Sequence, residues 1–365
     1  MEDAVAGLSA AEPATTVPPA PDARERPPGL REAASRSLDL ALASSGRIRR
    51  ASIYFGLLTL ALAGPAAILL LDMARHLGSL DDAIVLAAGG FGFGDPGQVD
   101  PAALGMLRLC MFGAVVGLFA VSIEAQIVAA TILGGVASGR PISVRGALRV
   151  SRIVFWQVVG ASILVGLLRL VVDVITTAFL NPDSFGSVQI AQVWQWTVET
   201  VVTAPFAFFI AGIVIGGVGA IESLRRSTRI AGARWRLALL VAATGVAGAF
   251  IQDFALGAGL DQLARVGTTA GLGLNGPAHV AVITVLVVLV AIVAIGSLVV
   301  TVAALIVAPQ VVVFLGMTGH SSGLDRATTA TGGYRWTSPT RMVTWQMIVL
   351  IVFGVLVALV GLISI

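Results

Sequence analysis

Apolar residues form seven long runs along this chain, separated by short polar segments. Each run is long enough, at roughly 1.5 Å per helical residue, to cross about 30 Å of hydrocarbon. The strands of a membrane β-barrel would instead alternate in polarity over about ten residues. The pattern predicts an all-α integral membrane protein with about seven transmembrane helices: six, and a C-terminal segment that either crosses or lies in the membrane. The predicted spans are 52–73, 103–137, 153–180, 193–218, 236–257, 279–309 and 342–363.

Two of these runs are longer than a bilayer requires. We expect helices 103–137 and 279–309 either to tilt or to continue as helix into the cytosol. Pro65, Pro205 and Pro309 fall within or at the end of predicted spans, and each can kink its helix.

The first 50 residues differ in character from the rest. Their proline-rich start, residues 1–28, predicts a disordered cytosolic tail. Residues 30–46 have apolar positions at helical spacing, which predicts either a short amphipathic helix on the membrane surface or a nascent helix in the tail. Residues 51–365 then form the polytopic membrane domain. The spaced apolar positions are Leu30, Ala34, Leu38 and Leu42.

Arginines occupy alternate gaps between the spans, and all 23 basic residues are arginine. Because cytoplasmic loops are enriched in basic residues, this distribution predicts a cytoplasmic N-terminus and seven crossings of a plasma or inner membrane. The arginines of the predicted cytosolic segments are Arg47, Arg49, Arg50, Arg140, Arg145, Arg149, Arg152, Arg225, Arg226, Arg229, Arg234, Arg236, Arg326, Arg335 and Arg341.

Two of the cytosolic gaps, 146–152 and 222–229, share a core that reads small-Leu-Arg-x-Ser. We expect each to be a basic amphipathic elbow within an internal repeat; chance similarity is the alternative. Arginine heads in such elbows can reach lipid phosphates while the apolar residues remain in the interface, or the arginines can simply set the topology. The arginines assigned to lipid phosphates are Arg149, Arg225, Arg226 and Arg229.

Composition narrows the classes of function. Hydrophobic residues make up 57% of the chain and charged residues only 12%, against about 25% charged residues in soluble domains. The net charge of +3 is small and the arginines flank spans, which favours membrane lipids over nucleic acid as partners. Cys110 is the single cysteine, so neither an internal disulfide nor a cysteine-based metal cluster is expected. We expect no catalytic residue, cofactor or metal, but a membrane or soluble protein partner is possible.

Ionisable residues in the outer parts of the predicted spans are the first candidate site, because charges in lipid are costly. They predict an outward-facing polar cavity for a lipid headgroup or a small polar solute. The alternative is that the acids only reach the headgroups from helix ends. Arg169 and Asp173, four residues apart, can pair on one helix face. The cavity residues are Arg108, Arg169, Asp173, Glu199 and Asp253.

Glu124 and Gln126 form a candidate inner polar site within the second span. Glu124 is a candidate for a proton site or for a partner of an elbow arginine; a structural hydrogen bond between helices is the third interpretation, and the one we favour. Two GxxxG pairs allow close helix contacts: Gly113 with Gly117, and Gly212 with Gly216.

One stretch, IESLRRSTRIAGARW at residues 221–235, resembles the cytosolic elbow "ALRRSW-RL-x-x-G-x-FW" of the glycerophosphoryl diester phosphodiesterase membrane-domain family. Residues 223–227 fall on the core of that pattern. Residues 139–149 are similar to the earlier elbow of the family, and 308–325 to its Ala-Pro ending. The chain departs from the family at 316–318, where Gly-Met-Thr stands in place of Asp-Leu-Arg.

The resemblance covers roughly residues 100–330 and implies a membrane domain without assigned chemistry. Some relatives carry a catalytic barrel, which would need about 200–250 soluble residues. We therefore expect a non-enzymatic multi-pass protein with a lipid-contacting envelope, accessory or scaffold role. The alternative is a small transporter or permease-like protein that uses the outward-facing polar cavity.

Overall fold

The computed structural model of this chain describes residues 29–77, 83–85, 101–179, 188–269, 278–319 and 321–326. Within these ranges the regular secondary structure is entirely helical, which confirms the all-α prediction. The helices are α1 (Leu30–Ala43), α2 (Ser45–Leu77), α3 (Pro101–Ala137), α4 (Val144–Phe179), α5 (Val188–Thr203), α6 (Phe209–Val214), α7 (Ala220–Ala233), α8 (Trp235–Thr269) and α9 (Ala278–Thr318), with 3₁₀ turns at Ala204–Phe206 and Ser322–Asp325.

Five helical segments are long and apolar enough to cross a membrane, so the protein is of the multi-pass membrane type. The segment of α8 that qualifies as apolar, Trp235–Ile251, is shorter than these five. The predicted last span, 342–363, lies outside the described residues. The count of seven therefore stays a prediction. The five segments are Ser45–Ala74, Pro101–Ala137, Val144–Val172, Val193–Val214 and Leu286–Thr318.

The surface of the protein changes along the long helices. On α3, Leu109 and Phe112 are 68% and 69% exposed, whereas Ile127 and Leu133 are fully buried. The same change runs along α4 and α9. We call the exposed apolar side chains of segments 106–119, 163–175 and 286–290 the apolar belt. We call the opposite half, where the main buried core and many of the exposed arginines lie, the arginine end; it comprises 127–152, 208–242, 300–319 and 321–326.

Helix length explains why the surface divides in this way. Helix α3 has 37 residues and α9 has 41, which correspond to roughly 55 and 60 Å at the standard helical rise. A hydrocarbon layer of about 30 Å covers little more than half of either helix. The burial of their far halves among other helices supports the prediction that these helices continue beyond the hydrocarbon.

Helix α2 crosses α3 and α9 at close range. A side chain at Gly117 of α3 would meet Leu62, and one at Gly296 of α9 would meet Thr59 and the backbone of Gly56. Small residues allow helix backbones to approach in this manner. Among the predicted GxxxG positions, Gly117 lies at such a contact, but Gly113 has no neighbour within 4 Å of where its Cβ would stand. The Gly56–Gly296 crossing was not predicted.

The predicted fourth span, 193–218, is not one continuous helix. Helix α5 ends at Thr203, a 3₁₀ turn follows, and α6 begins at Phe209. Pro205 lies in that turn and has no backbone N–H to continue the helical ladder. Its expected kink is a full break, whereas Pro65 and Pro309 lie inside continuous helices.

Two serines of α7 supply the hydrogen bonds that the break removes from the backbone. The Ser227 hydroxyl donates to the Pro205 carbonyl at 2.8 Å and accepts from the Phe208 N–H at 3.0 Å. The Ser223 hydroxyl donates to the Phe209 carbonyl at 2.6 Å. Both serines are buried. Unpaired backbone groups are costly away from water, so these contacts stabilise the broken helix.

The two predicted elbows differ in the structure. Segment 222–229 lies in the separate helix α7. The buried face of this helix consists mainly of small residues, and its Arg225 and Arg229 are exposed. Segment 146–152 instead lies within the first turns of the continuous helix α4 and is not a separate elbow. The reason is local: Ser143 caps α4 through the Gly146 N–H, whereas a non-helical Arg234 separates α7 from α8.

A helix is present where the short N-terminal helix was predicted, as α1, and it packs against α9; its position on a membrane surface stays a prediction. Its side chains divide into two faces, one buried against the bundle and one exposed. A turn at Ser44 separates α1 from α2, so α2 begins earlier than the predicted first span. Residues 1–28, expected to be a disordered tail, lie outside the described residues. The buried face holds Ala33, Ser37, Leu40 and Ala41, and the exposed face Leu30, Ala34, Leu38 and Leu42.

Replacing Ser227 with alanine should destabilise the protein by about 1–3 kcal/mol, because buried backbone groups at the helix break lose their partner. The measurement is a denaturant titration of the reconstituted protein, followed by circular dichroism. Thr228→Ala is the matched control, since Thr228 is exposed and bonds only to Arg225 of its own helix. Equal effects of the two substitutions would contradict this role for Ser227.

Candidate functional site

The predicted outer polar cavity contains one ion pair that the structure describes. Arg169 of α4 and Glu199 of α5 meet at 2.7 Å between Nη2 and Oε1. The Glu199 side chain is only 8% exposed, whereas that of Arg169 is 46% exposed. The pair joins two helices whose neighbouring side chains include the exposed Leu168 and Leu170. A buried carboxylate beside apolar surface needs such a cation, because an uncompensated charge there is costly.

The structure describes less of the other members of the predicted cavity. The side chains of Asp173 and Asp253 lie outside the described part of the chain, so the predicted Arg169–Asp173 pairing is not described either. Arg108 lies on α3, next to Leu107, which packs against Met73 of α2. Convergence of all five residues stays a prediction.

The predicted inner polar site includes two residues that the sequence did not indicate as its members. Arg152 of α4 and Tyr54 of α2 lie near the carboxylate of Glu124 on α3. The choice among the three interpretations of Glu124 stays a prediction. Gln126, two residues further along α3, is half-buried. The cluster therefore links α2, α3 and α4 near the border of the apolar belt.

The elbow arginines differ in their surroundings. Arg226 pairs with Glu222 at 3.2 Å along the same helix, and both side chains are about half exposed. Arg225 and Arg229 are exposed on α7, while Arg149 is half-buried on α4. Arginine heads at such positions can donate paired hydrogen bonds to phosphate or carboxylate oxygens.

A third group of polar contacts lies at the arginine end. Arg140, in the turn between α3 and α4, pairs with Asp325 at 2.9 Å. The next residue, Arg326, donates to the Gly217 carbonyl at 2.7 Å, where the backbone adopts a positive φ of 69°. The exposed ion pair itself contributes little stability. Together with the Arg326 hydrogen bond, it holds the segment after α9 against the turns at Arg140 and Gly217. No sequence pattern indicated these contacts.

The described residues contain no group of three or more His, Cys, Asp or Glu side chains that could hold a metal ion. No family model, curated protein or solved structure matches the chain. The chemistry that the described sites can perform is therefore argued from their own geometry: paired charges, exposed guanidinium groups and an apolar surface.

The Arg169–Glu199 pair can be tested by a double-mutant cycle. Arg169→Leu should destabilise the protein by about 1–3 kcal/mol, because it leaves Glu199 buried without its cation, although partial exposure of the arginine reduces the effect. Adding Glu199→Gln should recover part of that loss, with a coupling energy on the order of 1 kcal/mol. Denaturant titration of the four proteins in one detergent measures both quantities. Additive effects would show that the two side chains do not stabilise each other.

Proposed function

We propose that this protein is a non-enzymatic, multi-pass membrane protein that contacts anionic lipid with its arginine end and serves as an envelope component, accessory subunit or scaffold. The observation that carries the proposal is the division of its surface. Exposed apolar side chains form one half and exposed arginines border the other. This is the distribution expected of a protein anchored in hydrocarbon next to a negatively charged leaflet.

Helix α7 supports the proposal in detail. One face is fixed to the broken helix through Ser223 and Ser227. The other face presents Arg225 and Arg229, together with Ile221, which is highly exposed. An apolar side chain beside arginine heads suits the interface, where the guanidinium groups reach phosphates and the apolar side chain enters the lipid.

The resemblance to the glycerophosphoryl diester phosphodiesterase membrane domain agrees with this proposal. The serines that the family-like core contributes, Ser223 and Ser227, have a structural role that accounts for their spacing of four residues. We propose that the chain shares that membrane architecture and has no hydrolytic activity. Its proposed location is the plasma or inner membrane, with the N-terminus in the cytoplasm.

A small transporter is the second candidate, and the Arg169–Glu199 pair is the observation that favours it. Charged residues inside a membrane domain mark solute or ion pathways in many transporters. If such a site exists, soluble amino acids, sugars or nucleosides screened singly should include one that raises the thermal midpoint of the reconstituted protein. Glu199→Gln should abolish that shift. A shift that survives the substitution would place the solute elsewhere, and no shift with any solute favours the accessory role.

The membrane arrangement can be tested by cysteine labelling in a Cys110→Ala background. Pro141→Cys and Thr228→Cys are exposed positions at the arginine end, and Ala103→Cys is exposed at the start of α3. A membrane-impermeant maleimide should label position 103 in intact cells, and positions 141 and 228 only after permeabilisation. Labelling of 141 and 228 from opposite sides would overturn the proposed arrangement.

A further inference from the structure

The Arg169–Glu199 pair presents mainly one of its two charges at the surface. The Glu199 side chain is 8% exposed, whereas that of Arg169 is 46% exposed. In the Arg140–Asp325 pair, by contrast, both side chains are exposed. The Glu199 carboxylate contacts the Nη2 atom of Arg169, and a guanidinium group carries further N–H donors on its other nitrogen atoms. The accessible part of this pair is therefore a cation.

Exposed apolar side chains flank this cation on the helices that form the pair and on the next one. On α4, Leu167 and Leu170 are 54% and 58% exposed. On α5, Trp196 lies one turn before Glu199, and its ring contacts that of Phe250 on α8 with 5.0 Å between the centroids. A soluble anion would match only the charge of this surface. An amphiphile with an anionic head would match both the charge and the apolar side chains.

Helix rise indicates the level of the pair along the molecule. From Arg152, at the arginine end, to Arg169 helix α4 rises about 25 Å, which is slightly less than the hydrocarbon thickness of about 30 Å. Helix α5 leads toward α6 at the arginine end, so Trp194 and Trp196 lie further from that end than Glu199 does. Tryptophan is typical of the level where headgroups meet hydrocarbon. With the arginine end at one headgroup level, as proposed above, the pair lies just inside the other.

At that level an exposed guanidinium group needs an anion. A charge that faces hydrocarbon is costly, and a long arginine side chain relieves the cost by extending its head to the interface. The anions present at the interface of a bilayer are the phosphates of its lipids. The planar fork of a guanidinium group donates paired hydrogen bonds to phosphate oxygens.

We propose that Arg169 binds the phosphate of a glycerophospholipid in the leaflet opposite the arginine end, with the acyl chains against the exposed side chains of α4, α5 and α8. Glu199 is a positioning residue: its buried carboxylate holds Nη2 from the protein side, and the exposed part of the guanidinium group contacts the phosphate. The inference rests on the proposed membrane arrangement. It extends the lipid-contacting role to the second leaflet and assigns this pair to a lipid instead of a soluble solute.

The test is photo-crosslinking of lipid to the full-length protein in neutral detergent. The probe is phosphatidylglycerol with a diazirine near the carbonyl end of one acyl chain, and the comparison is diacylglycerol with the same chains and no phosphate. Mass spectrometry of the digested protein locates the adducts. Phosphatidylglycerol should give at least about tenfold more adducts than diacylglycerol in segments 164–171 and 193–200, the ratio that one charge-assisted hydrogen bond supplies. Equal yields from the two probes would overturn the proposal.

A soluble competitor separates a lipid from a free anion. Glycerophosphoglycerol, the headgroup without acyl chains, should not reduce these adducts when it is present in millimolar excess, because it lacks the chains that contact the apolar side chains. A reduction to the level of diacylglycerol would assign the site to a soluble anion and overturn the lipid assignment.

Arg169→Gln/Glu199→Gln removes both charges and leaves no buried acid without its cation. It should abolish the preference for the phosphate-bearing probe in these segments, and a preference that persists would contradict the phosphate contact. Glu199→Gln alone keeps the cation and should retain part of the preference; complete loss there would count against binding by Arg169. If the double variant does not fold, Arg169→Lys keeps the charge without the fork and should weaken the preference, whereas no change would contradict a guanidinium contact.

The matched control is Arg225→Gln/Arg229→Gln, which removes two exposed arginines of α7 at the arginine end. It should leave the adducts in 164–171 and 193–200 unchanged, because those segments belong to the opposite leaflet. An equal loss in the control would show that the adducts report general attraction of anionic lipid and would overturn the site.

The outcome is separable from that of the proposed function. Absence of the phosphate preference at 164–171 and 193–200, while positions 141 and 228 still label from one side, would remove only this site. Labelling of positions 141 and 228 from opposite sides would remove the proposed arrangement together with the site.

Discussion

Backbone hydrogen bonding in a water-poor environment is the constraint on which this structure depends. Most of the backbone meets it through long continuous helices, because each helix satisfies its own donors and acceptors. The exception is the break between α5 and α6, where Pro205 interrupts the ladder. Ser223 and Ser227 reach from α7 to the freed groups, so an amphipathic helix becomes an integral part of the bundle. Fixing α7 in this way also determines where its arginines stand.

Helix length has a second consequence for function. Because α3 and α9 are longer than a bilayer is thick, their far halves are covered by protein and form a core at the arginine end. The close crossing of Gly56 and Gly296 brings α2 and α9 together within the same bundle. Polar contacts then join the elements at that end: Arg140 with Asp325, and Arg326 with the Gly217 carbonyl. We propose that this surface, with its exposed arginines beside the apolar belt, recognises lipid.

Periodicity and length predicted the helices well, because an apolar run of twenty or more residues has few alternatives in lipid. The proline at 205 indicated a disturbance but not a break, since Pro65 and Pro309 sit in continuous helices. The repeat of small-Leu-Arg-x-Ser suggested two similar elbows, yet only 222–229 is a separate helix. The capping by Ser143 on one side and the non-helical Arg234 on the other depend on neighbours that a short motif does not specify.

For the candidate sites, too, the sequence predicted some features and only the structure showed others. The cost of charge in lipid was enough to single out Arg169, Glu199 and Glu124 as functional candidates from the sequence. It could not show that Arg169 contacts Glu199 on the next helix, or that Arg152 lies near Glu124. Spacing along one helix reveals which residues share a face, but partners on different helices are separated by long stretches of chain.

The sequence by itself determined that this protein consists of long apolar helices, and it determined the segments in which its arginines accumulate. Those properties follow from the hydrophobicity and charge of local segments, which are additive along the chain. Only the tertiary structure decided which faces meet: α7 against the broken helix, and α2 against α9. The physical reason is that helix packing depends on the shapes of small residues at crossings such as Gly56 and Gly296 and on single hydrogen bonds, and neither leaves a periodic signal.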